Sequence, residues 1–187
     1  YNNSGEHGGL SLLLATYLFA FQIYCDFSGY SDMAVGMARL LGLDMMKNFK
    51  MPYFSESPQE FWRRWHVSLS TWFRDYVYIP LGGNRGSALH VVGATMIVFL
   101  TSGLWHGANG KFVVWGGLHG ALLAFGRAFG PERLWRRLPA AGRTAATFFW
   151  NTVVHERSYV IGGNSDGEMF TPKEKLSELN FLLAGLY

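Results

Sequence analysis

Three apolar runs, separated by polar and aromatic segments, organise the chain. They cover residues 9–25, 88–105 and 112–126. At 1.5 Å per residue, a helix over 9–25 is about 25 Å long, close to the roughly 30 Å hydrocarbon core of a bilayer. The pattern therefore predicts three membrane spans, of which the third is short and rich in glycine, a composition that favours close packing of helices.

A fourth segment, residues 58–75, predicts an amphipathic helix. Ser57 is a suitable N-cap, Pro58 suits the first helical position, and Glu60 completes a capping box. At 100° per residue, one face gathers large apolar side chains and the opposite face gathers arginines, as in helices that lie in the headgroup plane. His66 falls at the edge of the apolar face. That face comprises Phe61, Trp62, Trp65, Leu69, Trp72 and Phe73.

Two further segments leave the topology open. Residues 33–43 are apolar and helical in character but too short to span alone, so they predict a re-entrant, interfacial or packed helix. From residue 151 onward the chain becomes polar, which predicts a loop and a short exposed helix. The sequence thus divides into a partial transmembrane domain over 1–150 and a polar tail over 151–187.

Charge and composition support a membrane location. Only 16% of the residues are charged, against about 25% in soluble domains, while 49% are hydrophobic. Most of the 16 lysines and arginines lie between the first two spans or after the third. If all three runs cross, and 33–43 does not, these residues share one side, which the positive-inside rule makes cytoplasmic.

Composition also excludes some functions. The net charge of +3 suggests nucleic-acid binding, but the basic residues adjoin apolar runs and form no solvated stripe, so we expect no nucleic-acid partner. Cys25 is the single cysteine, which rules out an intrachain disulfide. The sequence has no Cys/His spacing of the zinc type, and a histidine-only metal site lacks carboxylate or thiolate partners at ligand spacing.

Two histidines that follow tryptophan are the strongest candidates for chemistry. His106 follows Trp105 at the end of the second span, and nearby glycines let the backbone leave the helix and a ligand approach. An ionisable side chain at membrane depth is functional by default, and a neutral imidazole can act as a general base. His66 follows Trp65, and we interpret it in the same way as a candidate functional histidine. The alternative is a histidine that is merely hydrogen-bonded at a helix end or at an interface.

A polar cluster follows the first span. Asp26, Ser28 and Asp32 either line a substrate path or form a turn followed by a helix cap. Asn84 and Arg85, in a glycine-rich segment before the second span, are interpreted first as a turn residue and an interfacial anchor.

Several motifs together resemble the membrane-bound O-acyltransferase family, in particular its alginate O-acetylation branch. The resemblance covers residues 15–129 and implies that this chain is part of a longer, polytopic protein. His106 matches the family's catalytic histidine, and His66 matches its second characteristic histidine. The motifs are DFSGYSDMA at 26–34, NFKMPY at 48–53, EFWRRWH at 60–66, WFRDY at 72–76, PLGGNR at 80–85 and GLWHGA at 103–108.

The resemblance implies an all-α, polytopic membrane bundle in the bacterial inner membrane that transfers an acyl group to a hydroxyl. Its donor would be acetyl-CoA or an acyl-carrier thioester on the cytoplasmic side, with no bound cofactor. Its acceptor would be an exported polysaccharide such as alginate, or an extracytoplasmic acetyl-transfer partner protein. Membrane lipid is the remaining partner.

We hypothesise that His106 removes the proton from the acceptor hydroxyl. His66 would orient the donor or donate a hydrogen bond to the developing oxyanion, and Trp65 and Trp105 would support the two histidines. Two alternatives remain. One is a non-catalytic helix bundle that conducts or scaffolds, with both histidines in a polar pathway. The other is an inactive fragment.

Overall fold

The computed structural model describes residues 8–107, 109–129, 135 and 137–160. These residues form helices, turns and loops, without a strand among them, which confirms the all-α prediction. The helices in chain order are α1 (Gly9–Leu40), a 3-10 helix (Pro52–Phe54), α2 (Pro58–Arg64), α3 (Val67–Phe73), a π-helical turn (Arg74–Tyr78), α4 (Ala88–His106), α5 (Gly110–Phe129) and α6 (Ala140–Val160).

Helix α1 is continuous and does not end with the first apolar run at residue 25, whereas the bounds of the membrane span over 9–25 stay a prediction. The helix runs for 32 residues, about 48 Å, and includes most of the segment 33–43 that was predicted as a separate helix. Asp26, Gly29 and Asp32 do not end the helix, because helix propagation is cooperative. The helix ends where Gly42 adopts a φ of 76°. There Leu43 N donates to Ala38 O (2.9 Å) and Gly42 N to Arg39 O (3.0 Å), which is a Schellman motif.

The amphipathic segment starts as predicted but does not form one helix. Ser57 Oγ accepts a hydrogen bond from Glu60 N at 3.2 Å, which caps α2. The helix then ends at Arg64, and His66 adopts φ 45° and ψ 60° before α3 begins. The prediction of a single helix over 58–75 is therefore wrong, because a 100° repeat cannot continue through a left-handed residue.

Large side chains of the predicted lipid-facing stripe lie instead in the interior of the protein. Phe61 and Trp65 are buried with Ile23 of α1 in one hydrophobic cluster. Tyr53, from the 3-10 helix, packs against this cluster and donates its hydroxyl to Ala20 O at 2.8 Å. Phe148 of α6 lies 4.9 Å from the Tyr53 ring, between ring centroids. Aromatic rings thus hold α1, α2, the 3-10 helix and α6 together.

Helices α4 and α5 pack at backbone distance. A Cβ atom added at Gly103 would lie 2.2 Å from Phe112 O, and one added at Gly116 would lie 2.2 Å from Phe99 O. No side chain fits between these main chains, so the glycines bring the helices together, as the glycine-rich third run predicts. This pair of helices carries one half of the site described below.

Helix α6 continues into the predicted polar tail. Residues 151–160 are helical, and Asn151 and Thr152 are buried together with Thr147. At the start of α6, Arg143 forms an ion pair with Glu56, whose backbone carbonyl also accepts from Trp135 Nε1 at 2.7 Å. Residues 161–187 lie outside the described residues, and the division at residue 150 stays a prediction.

Two helices in the described part of the chain are long and apolar enough to cross a membrane, α1 and α4. Helix α5, which contains the third predicted span, does not reach that composition. Much of the apolar surface of α1 is exposed, including Leu10, Leu14 and Leu18. An apolar surface of this extent is typical of a helix that faces lipid or further protein.

Candidate active site

His66 lies at the break between α2 and α3. Its left-handed backbone is uncommon for a residue other than glycine. The side chain is only 4% exposed. The imidazole centroid lies 4.9 Å from the Phe27 ring of α1 and 6.4 Å from the Trp105 ring of α4. The helix break therefore places this histidine between α1 and α4.

His106 is the last residue of α4 and is half-buried. Its ring centroid lies 4.9 Å from Trp105 and 5.1 Å from Trp115 of α5. A Cβ atom added at Gly107 would approach the Phe112 ring to 2.6 Å, so a glycine is needed where the chain turns toward α5. The close pairing of α4 and α5 thus sets the surroundings of this imidazole.

The structure brings the two predicted catalytic histidines together, with the indole of Trp105 in contact distance of both. The other predicted tryptophan lies elsewhere. Trp65 is buried in the core beneath His66, stacked on Phe61 at 5.5 Å between ring centroids. Trp105 is therefore part of the site surface, whereas Trp65 anchors the backbone from which His66 projects.

Burial and, to a smaller extent, the electrostatic effect of nearby His106 lower the pKa of His66 from 6.5 to about 3. The imidazole is therefore neutral at physiological pH. A neutral imidazole has one N–H donor and one acceptor nitrogen. Its Nδ1 lies 3.4 Å from Ser68 Oγ. Such a group can donate a hydrogen bond to a developing oxyanion but does not supply a positive charge.

This lowered pKa predicts how stability depends on pH. Below the unfolded-state pKa of 6.5, the unfolded chain binds a proton at His66, while the folded protein does so only near pH 3. Stability contributed by neutral His66 is thus complete above pH 6.5 and is lost as the pH falls toward 3. We expect thermal unfolding of the full-length protein to be less pH-dependent between pH 7 and 5 in His66→Asn than in the wild type. Parallel pH dependences would contradict the prediction.

The polar residues after the first apolar run lie on α1. Asp26 and Asp32 are exposed, and Ser28 Oγ donates to Cys25 O, three residues earlier, at 3.5 Å. Because α1 continues through this segment, the alternative of a turn with a helix cap is wrong. It is Phe27, between these polar residues, that contacts His66.

The structure places Asn84 and Arg85 away from the histidines. Both precede α4, whereas His106 ends it, and 18 helical steps separate the two ends by about 27 Å. Asn84 Oδ1 accepts from the Tyr78 hydroxyl at 2.7 Å, and Arg127 donates to the same hydroxyl. These contacts fit the interpretation of Asn84 as a turn residue.

The sequence predicts His119 as a polar residue packed between helices, but it does not indicate that Trp115 lies beside His106. Trp115 lies between two imidazoles, 5.1 Å from His106 and 4.9 Å from His119, by ring centroids. His119 is completely buried and also lies 5.1 Å from Trp62 of α2. The spacing of four residues between Trp115 and His119, which puts both on one helix face, was the available signal. Among the described residues, no group of three His, Cys, Asp or Glu side chains could hold a metal ion.

Comparison with known proteins points to one family. The model of the membrane-bound O-acyltransferase family matches residues 4–154. The chain is 52% identical over 173 residues to a probable alginate O-acetylase AlgI of Pseudomonas putida, a match that covers 89% of this chain and 35% of that protein. It is 48% identical over 111 residues to a peptidoglycan O-acetyltransferase of Helicobacter pylori, covering 59% and 21% of the two chains.

A more distant relative is a teichoic acid D-alanyltransferase of Bacillus subtilis, 32% identical over 123 residues, covering 61% of this chain and 31% of that protein. The chain therefore spans about a third, or less, of the length of these relatives. The shared part includes both histidines, because the family match extends from residue 4 to residue 154.

Proposed function

The chain belongs to the membrane-bound O-acyltransferase family, and from this premise we propose that the protein containing it transfers an acetyl group to hydroxyls of an exported polysaccharide. The observation that carries the proposal is the grouping of His66, Trp105 and His106, in which α3, α4 and α5 bring two imidazoles to one place. The names of similar proteins support the reaction class. Two of them refer to O-acetylation, of alginate and of peptidoglycan.

In the proposed reaction, His106 accepts the proton of the acceptor hydroxyl. The hydroxyl oxygen then attacks the carbonyl carbon of the acetyl thioester, a C–O bond forms and the C–S bond breaks. The proton held by His106 passes to the leaving thiolate, which restores the neutral imidazole. His66, neutral because it is buried, donates a hydrogen bond to the carbonyl oxygen as negative charge develops there.

The proposed donor is acetyl-CoA or an acyl-carrier thioester on the cytoplasmic side, with no bound cofactor. The acceptor is the polysaccharide itself or an extracytoplasmic partner protein that passes the acetyl group on. Asp26, Ser28 and Asp32 would line the substrate path along α1. Arg85 would anchor the cytoplasmic face.

We place the protein in the bacterial inner membrane as a multi-pass protein. Support comes from the apolar composition of α1 and α4 and from their large exposed apolar surface. The basic residues at 39–85 and 127–143 supply the charge bias that orients such helices. Further helices of the longer protein would surround this part.

Expression of the full-length protein in a bacterium that lacks its own polysaccharide O-acetylase tests the function. We expect ester-linked acetate on the exported polysaccharide, measured after mild alkaline release. The same protein, reconstituted in vesicles, is assayed for proton and ion flux. Flux without acetate transfer to any of alginate, peptidoglycan fragments or a partner protein would favour the non-catalytic bundle instead.

A further inference from the structure

Asn48 holds the backbone on the C-terminal side of His66. Its carbonyl oxygen accepts from Val67 N at 3.0 Å, and its side-chain Oδ1 accepts from Ser68 N at 3.0 Å. Asn48 is itself 3% exposed. One buried asparagine thus binds the two amides that directly follow the catalytic-site histidine.

These two amides belong to the first turn of α3, where backbone N–H groups lack partners within the helix. A helix is normally capped by the side chain of the residue just before it. Here that position is occupied by His66, whose ring is directed toward Phe27 and Trp105. Asn48, 20 residues before Ser68, supplies the cap instead. The imidazole of His66 is therefore not needed as a capping group.

The chain near Asn48 also holds the other side of the turn. Lys50 N donates to Arg64 O at 2.9 Å. Phe49, between these two anchors, packs edge-on against Trp65 at 5.0 Å and against Phe27 at 4.9 Å, by ring centroids. Segment 48–50 therefore contacts the chain before and after His66.

This matters because left-handed backbone at a residue other than glycine persists only where its surroundings enforce it. With φ 45°, His66 is such a residue. If the hydrogen bond to Asn48 Oδ1 is lost, Ser68 N becomes a half-buried donor without its acceptor, and the turn can relax toward a continuous helix. A continuous helix would point the imidazole in a different direction.

We propose that Asn48 is a positioning residue for His66, and that acyl transfer depends on its side-chain oxygen although Asn48 does not contact substrate. The inference rests on the proposed function of His66. It assigns to loop 48–50, through its buried residue Asn48, the positioning of the proposed oxyanion donor His66, which neither α2 nor α3 achieves alone.

The test compares three variants of the full-length protein. Asn48→Leu removes the acceptor at similar size, and Asn48→Asp keeps an oxygen in the same place. Ser57→Ala is the matched control, because it removes an equivalent cap, on Glu60 N at 3.2 Å, from the neighbouring helix α2. We expect Asn48→Leu to lower kcat about 10-fold to 100-fold with little change in KM for the donor. Asn48→Asp should recover most of kcat, and Ser57→Ala should leave it near wild type.

Melting temperature and membrane abundance are measured for each variant. If Asn48→Leu and Ser57→Ala lose activity only in proportion to lost folded protein, or if Asn48→Asp recovers nothing, the inference is overturned. His66→Leu, which has no N–H donor, is assayed in parallel. Full activity in His66→Leu would refute the proposed role of His66 itself, whereas loss there with normal kcat in Asn48→Leu would refute only the positioning role. If Asn48→Leu does not accumulate, Asn48→Ala also removes the acceptor and gives the same comparison.

Discussion

Replacing His106 with alanine in the full-length protein is expected to lower acetyl transfer by a factor of about 10²–10⁴, the usual contribution of a positioned general base. The imidazole sits at the end of α4, in ring contact with Trp105 and Trp115, and is half-buried. Its removal takes away the proposed proton acceptor while the backbone of the helix end remains. The measurement is kcat for ester formation at saturating donor and acceptor.

A second variant separates chemistry from packing. His106→Phe keeps a ring against Trp115 but has no nitrogen, so we expect it to be as inactive as His106→Ala and to melt closer to the wild type. His90→Ala removes an exposed histidine at the opposite end of α4 and should retain activity. Wild-type kcat in His106→Phe, at normal membrane abundance, would show that His106 is not the base.

The second large effect is expected at the contact between α4 and α5. In Gly116→Ala, the new methyl group would lie 2.2 Å from Phe99 O, a backbone atom that can move only if the helices separate. Overpacking of this kind typically costs about 1–3 kcal/mol. Because α4 carries His106 and α5 carries Trp115, separation also changes the site. We expect a lower melting temperature and a loss of acetyl transfer greater than the loss of folded protein.

Gly117, the adjacent glycine, provides a matched control, for which we expect no decrease in melting temperature. A methyl group at Gly117 would meet only Leu100 Cδ2, at an ordinary 3.9 Å. In a helix interior, alanine is more stable than glycine by roughly 0.5–1 kcal/mol, so Gly117→Ala should melt at or above the wild-type temperature. Gly103→Ala should behave like Gly116→Ala, because its methyl group would lie 2.2 Å from Phe112 O. Equal melting temperatures for the variants at 116 and 117 would contradict the backbone contact.

Much of the fold was predictable because it depends on local pattern. Apolar runs correctly placed helices at α1, α4 and α5, and the Ser57 cap correctly placed the start of α2. The tryptophan-flanked histidines were singled out because polar ionisable groups within apolar surroundings are costly. Their roles stay predictions, but the structure does bring His66 and His106 to one indole.

The errors share one cause, which is that helix boundaries depend on contacts between distant segments. Nothing in the local pattern around residues 58–75 indicates a left-handed residue at His66. The break is enforced by Asn48 and Lys50, whose bonding to residues 64–68 is a tertiary contact. The helical wheel consequently predicted that the apolar face of segment 58–75 contacts lipid. In the structure, Phe61 and Trp65 of that face pack on Ile23 of α1.

The sequence by itself determined which segments are helical, which surfaces are apolar enough for a membrane, and which two histidines warrant a chemical explanation. These properties follow from composition and periodicity, which are local and additive along the chain. Only the tertiary structure decided that α1 runs on past Asp26, that His66 faces Trp105, and that Trp115 and His119 stand behind His106. Each of those arrangements depends on hydrogen bonds and ring contacts between residues far apart in sequence, whose pairing no single segment specifies.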